Sequence, residues 1–136
     1  MTDTKSILLI DSHAADRQYY ASRLRFGFPG YEILEATTGQ AALDICVSQS
    51  IDCVILELSL PDMFGLEVLI QLVPNARQPQ IPVVVLTSFE QETLLEVARV
   101  SGAFAALRKN FASGDDLEQV VLSAIAAIPV DRKQTA

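Results

Sequence analysis

Three short runs constrain the fold of this chain more than anything else in it: SILLI at 6–10, CVILEL at 53–58 and IPVVVLT at 81–87. Each is almost wholly apolar, rich in Val, Ile and Leu, and too short for a helix. Such runs fit strands buried on both faces, which is the condition of a parallel sheet covered by helices. Two weaker segments complete the set. YEILEA (31–36) alternates in polarity, as an edge strand would, and AFAAL (103–107) is small and apolar and fits a fifth strand.

Helical periodicity fills the gaps. Residues 14–26 put Tyr20 and Leu24 on one face, residues 39–48 carry Ala42, Leu43 and Cys46, and LEVLIQLV (66–73) is apolar at helical spacing. Residues 90–100 group Leu94, Val97 and Ala98, leaving Leu95 and Val100 off the stripe. Residues 115–128 give the clearest pattern, with Leu117, Val120, Val121, Ala124, Ile125 and Ile128 in one stripe. Ser113 is the expected N-cap of that helix, and Asp115 and Asp116 suit its first turn. The order is βα five times over, so the expected fold is α/β, a doubly wound five-stranded parallel sheet with right-handed crossovers.

The 136 residues suit one domain, expected over 1–129, with VDRKQTA (130–136) as a polar tail or the start of a linker. Half the residues are hydrophobic, enough for a core without metal or disulfide. A net charge of -7 speaks against a surface that binds nucleic acid directly. Cys46 and Cys53 have no companions at metal spacing and read as ordinary buried thiols. The start, MTDTKSILLID, meets charge too soon for a signal peptide, and no apolar run approaches the roughly 20 residues of a membrane span. The expected compartment is the cytoplasm.

In a sheet of this kind, functional groups gather beyond the carboxyl ends of the strands. Asp11 and Ser12 follow the first strand, and Glu57 and Ser59 the third. Thr87 and Ser88 close the fourth, and Lys109 follows the fifth. Two carboxylates, several hydroxyls and an ammonium should therefore meet at one rim, a place suited to a cation or a phosphoryl group. No Gly-rich phosphate cradle follows the first strand, where the chain reads DSHAADR.

From about residue 6 to 128 the sequence resembles the CheY-like receiver domain of response regulators, the phosphoaccepting module of two-component signalling. ILLID matches the family's first strand and acidic corner. VILELSLPDMFGLEVL matches the acceptor segment, including the Pro61 and Gly65 positions of its loop. PVVVLTS matches the fourth strand with its switch hydroxyl, and GAFAALRKNF the lysine region. The resemblance implies the flavodoxin-like strand order 2-1-3-4-5. It also implies a role for each rim position. Glu57 stands where the family has its acceptor aspartate. Asp11 and Ser12 stand at two acidic positions that help hold Mg²⁺, and the carbonyl of Ser59 completes that metal site. Thr87 contacts the phosphoryl group and Lys109 pairs with it. The surface of the fourth helix, fifth strand and fifth helix binds partners or dimerises.

The departures from the family pattern carry the functional expectation. Glu57 is one methylene longer than the acceptor aspartate, which displaces in-line attack. Ser12 offers a neutral hydroxyl where Mg²⁺ favours an anion, so no metal is expected beyond weak Mg²⁺ at Asp11 and Glu57. Asn110 replaces the family's usual proline, so the Lys109–Asn110 bond should be trans. Ala106 stands where the family often keeps an aromatic switch, and Phe104, at the same strand parity, could fill some of that space.

Glu57 therefore reads either as a stand-in for the phosphorylated group, held by Lys109 and Thr87, or as a strand-end carboxylate paired for stability. Asp11 reads as a residual cation ligand or as a partner of loop amides and Lys109. One of Thr87 and Ser88 should cap the next helix while the other bonds Glu57. His13 reads as a solvated residue at a helix start, and Asp62 as a turn residue. The expected function is a non-enzymatic signalling module, without a cofactor, acting through other signalling proteins and not switched by aspartyl phosphorylation. An orthodox receiver phosphorylated at a non-standard site and a small-molecule-binding flavodoxin-like domain are the alternatives.

Overall fold

The computed structural model describes residues 4–128, so the expected tail at 130–136 lies outside the described residues. Five strands alternate with five helices: β1 Ser6–Ile10, α1 Ala14–Gly27, β2 Glu32–Ala36, α2 Gly39–Ser48, β3 Cys53–Leu56, α3 Gly65–Leu72, β4 Val83–Thr87, α4 Glu92–Val100, β5 Ala105–Arg108 and α5 Gly114–Ala127. The strands pair in parallel in the order β2-β1-β3-β4-β5. The wholly apolar runs occupy the three central positions, where both faces are covered, and the alternating and the small-residue segments form the edges.

Strand alternation divides the core into two layers. Leu8, Ile10, Val54, Leu56, Val83 and Val85 face the side that holds Ala42 of α2, Val68 and Leu69 of α3, and Leu95 and Ala98 of α4. Ile7, Leu9, Ile55, Val84 and Leu86 face Tyr20, Ala21 and Leu24 of α1, and Leu117, Val121 and Ala124 of α5. The α5 stripe is thus as expected. Ser113 caps the helix, its hydroxyl accepting from the Asp116 amide at 3.0 Å while the Asp116 carboxylate accepts from the Ser113 amide at 2.9 Å.

The α4 stripe differs from the expectation. Leu95 is 2% exposed and Ala98 fully buried, whereas Val97 and Val100 face outward. The helix begins only at Glu92, and its rotation is set by Leu95 packing on the β4 layer, so the residue expected to stand off the stripe is its anchor. Cys53 is buried and Cys46 only half so. Burial still pushes the Cys46 thiol up to about 11, which disfavours its thiolate at neutral pH.

The loop after β3 passes so close to the start of α3 that only glycine fits at position 65. A Cβ there would lie 2.6 Å from the Glu57 carbonyl oxygen and from the Leu58 Cα. The Gly65 amide donates to the Leu58 carbonyl at 2.7 Å. Further along the same loop, the Asp62 carboxylate accepts from the amides of Gly39 and Gln40 at 2.8 and 2.9 Å. Asp62 is therefore more than a turn residue, because it caps the N-terminus of α2 from a neighbouring loop and is held below the usual carboxylate range by those bonds.

Candidate functional site

Register brings the rim residues together. Ile10 pairs with Leu56, and Thr87 with Arg108. The ladder runs on one step further: the Glu57 amide donates to the Ile10 carbonyl, the Asp11 amide to the Ala36 carbonyl and the Lys109 amide to the Thr87 carbonyl. Asp11, Glu57 and Lys109 thus leave β1, β3 and β5 at one level, with Thr87 of β4 between the last two, and the three side chains converge in an open cleft of about 440 Å³.

Glu57 is the centre of that cleft. Its side chain is 4% exposed, and both oxygens are engaged. Oε2 accepts from the Leu58 amide at 2.6 Å, the Ser59 amide at 3.1 Å and the Thr87 hydroxyl at 2.5 Å. Oε1 accepts from the Ser88 amide at 3.0 Å and lies 3.0 Å from Lys109 Nζ. Burial by itself would push the Glu57 carboxyl up. The Thr87 hydroxyl, the Lys109 ammonium and the Ser59 amide outweigh it and hold the group below its ordinary value.

Lys109 is as closely held. Its side chain is 8% exposed, with Nζ 2.7 Å from Asp11 Oδ2 and 2.9 Å from Asp16 Oδ2. Burial opposes its charge, but the three carboxylates prevail and hold the ammonium well above the usual lysine range. The Tyr20 ring stands 6.0 Å from the same nitrogen. Asp11 also accepts from the His13 amide at 2.9 Å, so it bonds both a loop amide and Lys109. The hydrogen bond from the Lys109 ammonium holds the Asp16 carboxyl below the usual carboxylate range.

Sequence reasoning missed Asp16. Its signal was present: it stands one helical turn before Tyr20, which had been placed on the inward face of α1. His13 is where it was expected, 66% exposed and capping α1, its Nδ1 accepting from the Asp16 amide at 3.3 Å. Ser12 is exposed and Ser59 reaches Glu57 through its backbone.

Two expectations need correction. Neither Thr87 nor Ser88 caps α4, whose N-cap is Gln91 without a side-chain bond. Thr87 instead donates to Glu57 and accepts from the Phe89 amide at 3.1 Å, and Ser88 contributes its amide. Phe104 does not fill the space over Ala106. It precedes β5 and is 43% exposed, while a groove of about 520 Å³ remains over Ala106, walled by Leu95, Arg99, Arg108, Phe111 and Val120. As expected, the bond before Asn110 is trans, and there is no cis peptide among the described residues. The Asn110 amide bonds Glu90 of the β4–α4 loop, and Phe89 of that loop meets Phe64 edge-on at 6.0 Å between ring centroids.

The coupled charges set a pH window. Glu57 and Asp16 titrate lower in the folded chain than the ordinary 4.5 and 3.8. Their contribution is therefore complete above those values and is lost as pH falls through the folded ones. Lys109 titrates above its ordinary 10.5, so its contribution is complete below that value and is lost as pH rises beyond it. Urea unfolding across pH should give a plateau between these limits, and Glu57→Gln should make the acid limb shallower. An unchanged acid limb in that variant would place the acid sensitivity elsewhere.

Comparison with known proteins decides the family. The response regulator receiver domain model matches residues 7–122. The chain belongs to that family. This receiver domain is 33% identical over 120 residues to the transcriptional regulatory protein PdtaR of Mycobacterium tuberculosis, covering 88% of this chain and 56% of that protein. It is 26% identical to the polar-differentiation response regulator DivK of Brucella ovis, covering 78% of this chain and 85% of DivK. The receiver therefore spans little more than half the length of PdtaR. In structure it is similar to the CheY-like receiver domain protein of Methanospirillum hungatei, with a TM-score of 0.79 at 21% identity, covering 98% of this chain and all of that one. The receiver is a module of two-component signalling, and receivers interact with other signalling proteins or domains. No helix among the described residues is long and apolar enough to cross a membrane.

Proposed function

We propose that this receiver acts as a phosphorylation-independent signalling module, not switched at an aspartate, that works through contacts with other signalling proteins. One observation carries the reading. Glu57 stands in place of the acceptor aspartate, and its carboxylate already engages Lys109, Thr87 and the amides of Leu58, Ser59 and Ser88. A phosphoryl group carried on an aspartate here would call on these same donors. The carboxylate brings one charge and two oxygens against about two charges and three oxygens for a phosphoryl group, so it supplies part of that group's pull, permanently. It is also a poor nucleophile, because every donor around it stabilises the resting anion.

The output surface follows from the same logic. With Ala106 in place of a ring, no aromatic can swing between states, and a partner meets a fixed face of α4, β5 and α5. Val97, Val100 and Phe111 are exposed there beside the groove over Ala106. The partner is another signalling protein or domain, or a second copy of this chain. The net charge of -7 favours proteins over the phosphates of nucleic acid.

The test is intact mass after incubation with acetyl phosphate and Mg²⁺, with Glu57→Asp in parallel. Wild type should gain no phosphoryl group, and a labelled Glu57→Asp would locate the lost chemistry at this one residue. Labelling of wild type would overturn the proposal.

A further inference from the structure

We infer that the ammonium of Lys109 takes the place of a divalent cation at this rim, and that Asp16 is the positioning residue that holds it there. The inference deepens the reading above and rests on the same Glu57 geometry.

The donor set does not fit a dication. Mg²⁺ demands near-octahedral oxygen coordination and gives up its water reluctantly, so it relies on free anionic oxygens. Glu57 Oε2 already accepts from three donors, and Oε1 from the Ser88 amide with Lys109 beside it. Asp11 is engaged at both oxygens, by the His13 amide and by Lys109. Ser12, at the remaining family position, offers no charge. A dication would have to displace the ammonium from Asp11 and Glu57 or sit against it, and like charges at such range repel strongly in a site this buried.

Lys109, by contrast, is matched to what surrounds it. An ammonium has three N–H donors, and three carboxylates stand at 2.7, 2.9 and 3.0 Å from Nζ. The Tyr20 ring, within cation–π range, adds a further wall. Asp16 and Tyr20 lie one turn apart on α1, so a single helix supplies two sides of the cage. Asp16 lies outside the positions at which the receiver family keeps its acids, and it is the contact that draws the ammonium toward α1.

Two experiments on the full chain test this, neither using a phosphodonor, so either can fail while the labelling result stands. The first follows free Mn²⁺ by electron paramagnetic resonance. Lys109→Met should bind Mn²⁺ at least about tenfold more tightly than wild type, because three carboxylates lose their resident cation. Equal affinity would overturn the cation replacement. The second records the ammonium by nuclear magnetic resonance after ¹⁵N-lysine labelling. Wild type should show a slowly exchanging Lys109 signal, which Asp16→Ala should lose to exchange with water while Asp44→Ala, on exposed α2 surface, retains it. Persistence of the signal in Asp16→Ala would remove Asp16 from the positioning role.

Discussion

Lys109→Met should lower the free energy of unfolding by about 3–5 kcal/mol, the usual consequence of removing one member of a buried ion pair. Methionine keeps most of the apolar stem, so the loss isolates the charge. Asp11 and Glu57, each under 5% exposed in the side chain, would be left without a counter-ion. Against a total stability of about 5–15 kcal/mol, the urea midpoint at neutral pH should move far, with the slope unchanged. Arg99→Met is the control. Arg99 also pairs with two carboxylates, Glu92 and Glu96, but all three side chains are more than a third exposed, so its loss should cost under about 1 kcal/mol. Similar losses for the two variants would mean that burial does nothing for the Lys109 cluster.

Leu95→Ala should cost about 2–5 kcal/mol, as buried leucines commonly do when a cavity is left behind. Leu95 shares its core layer with Val83, Val85, Ala98, Ala103 and Ala106. It also walls the groove over Ala106, so the truncation should widen that groove. Val100→Ser, on the same helix but 70% exposed, should change stability by no more than about 0.5 kcal/mol. Thermal or urea unfolding of the pair checks both. A small loss at Leu95 would return it to the surface stripe where periodicity alone had put it.

That reversal at Leu95 marks where the sequence stops being readable. Central strands declare themselves because burial on two faces leaves no room for polar residues, and register then fixes what lies one step past their ends. Asp11, Glu57, Thr87 and Lys109 were legible for that reason. Helix rotation is less determined. In α4, apolar residues occupy too many positions, and sheet packing rather than periodicity selects Leu95 and Ala98. Thr87 was misread in half its role because a hydroxyl after a strand suits a helix cap equally well. Only the 2.5 Å approach to Glu57 and the late start of α4 decide between them. Asp16 and Asp62 were undervalued because their partners come from distant parts of the chain, which local spacing does not reveal.

The engagement of Glu57 also bears on time. A phosphoryl group on an aspartate is added and hydrolysed, so a receiver that uses one carries a timer. A carboxylate built into the chain has none, and its hold on Thr87 and Lys109 lasts as long as the molecule does. On the proposed reading, this receiver's message can be strengthened or withdrawn only by making or degrading the protein, and its concentration becomes the signal.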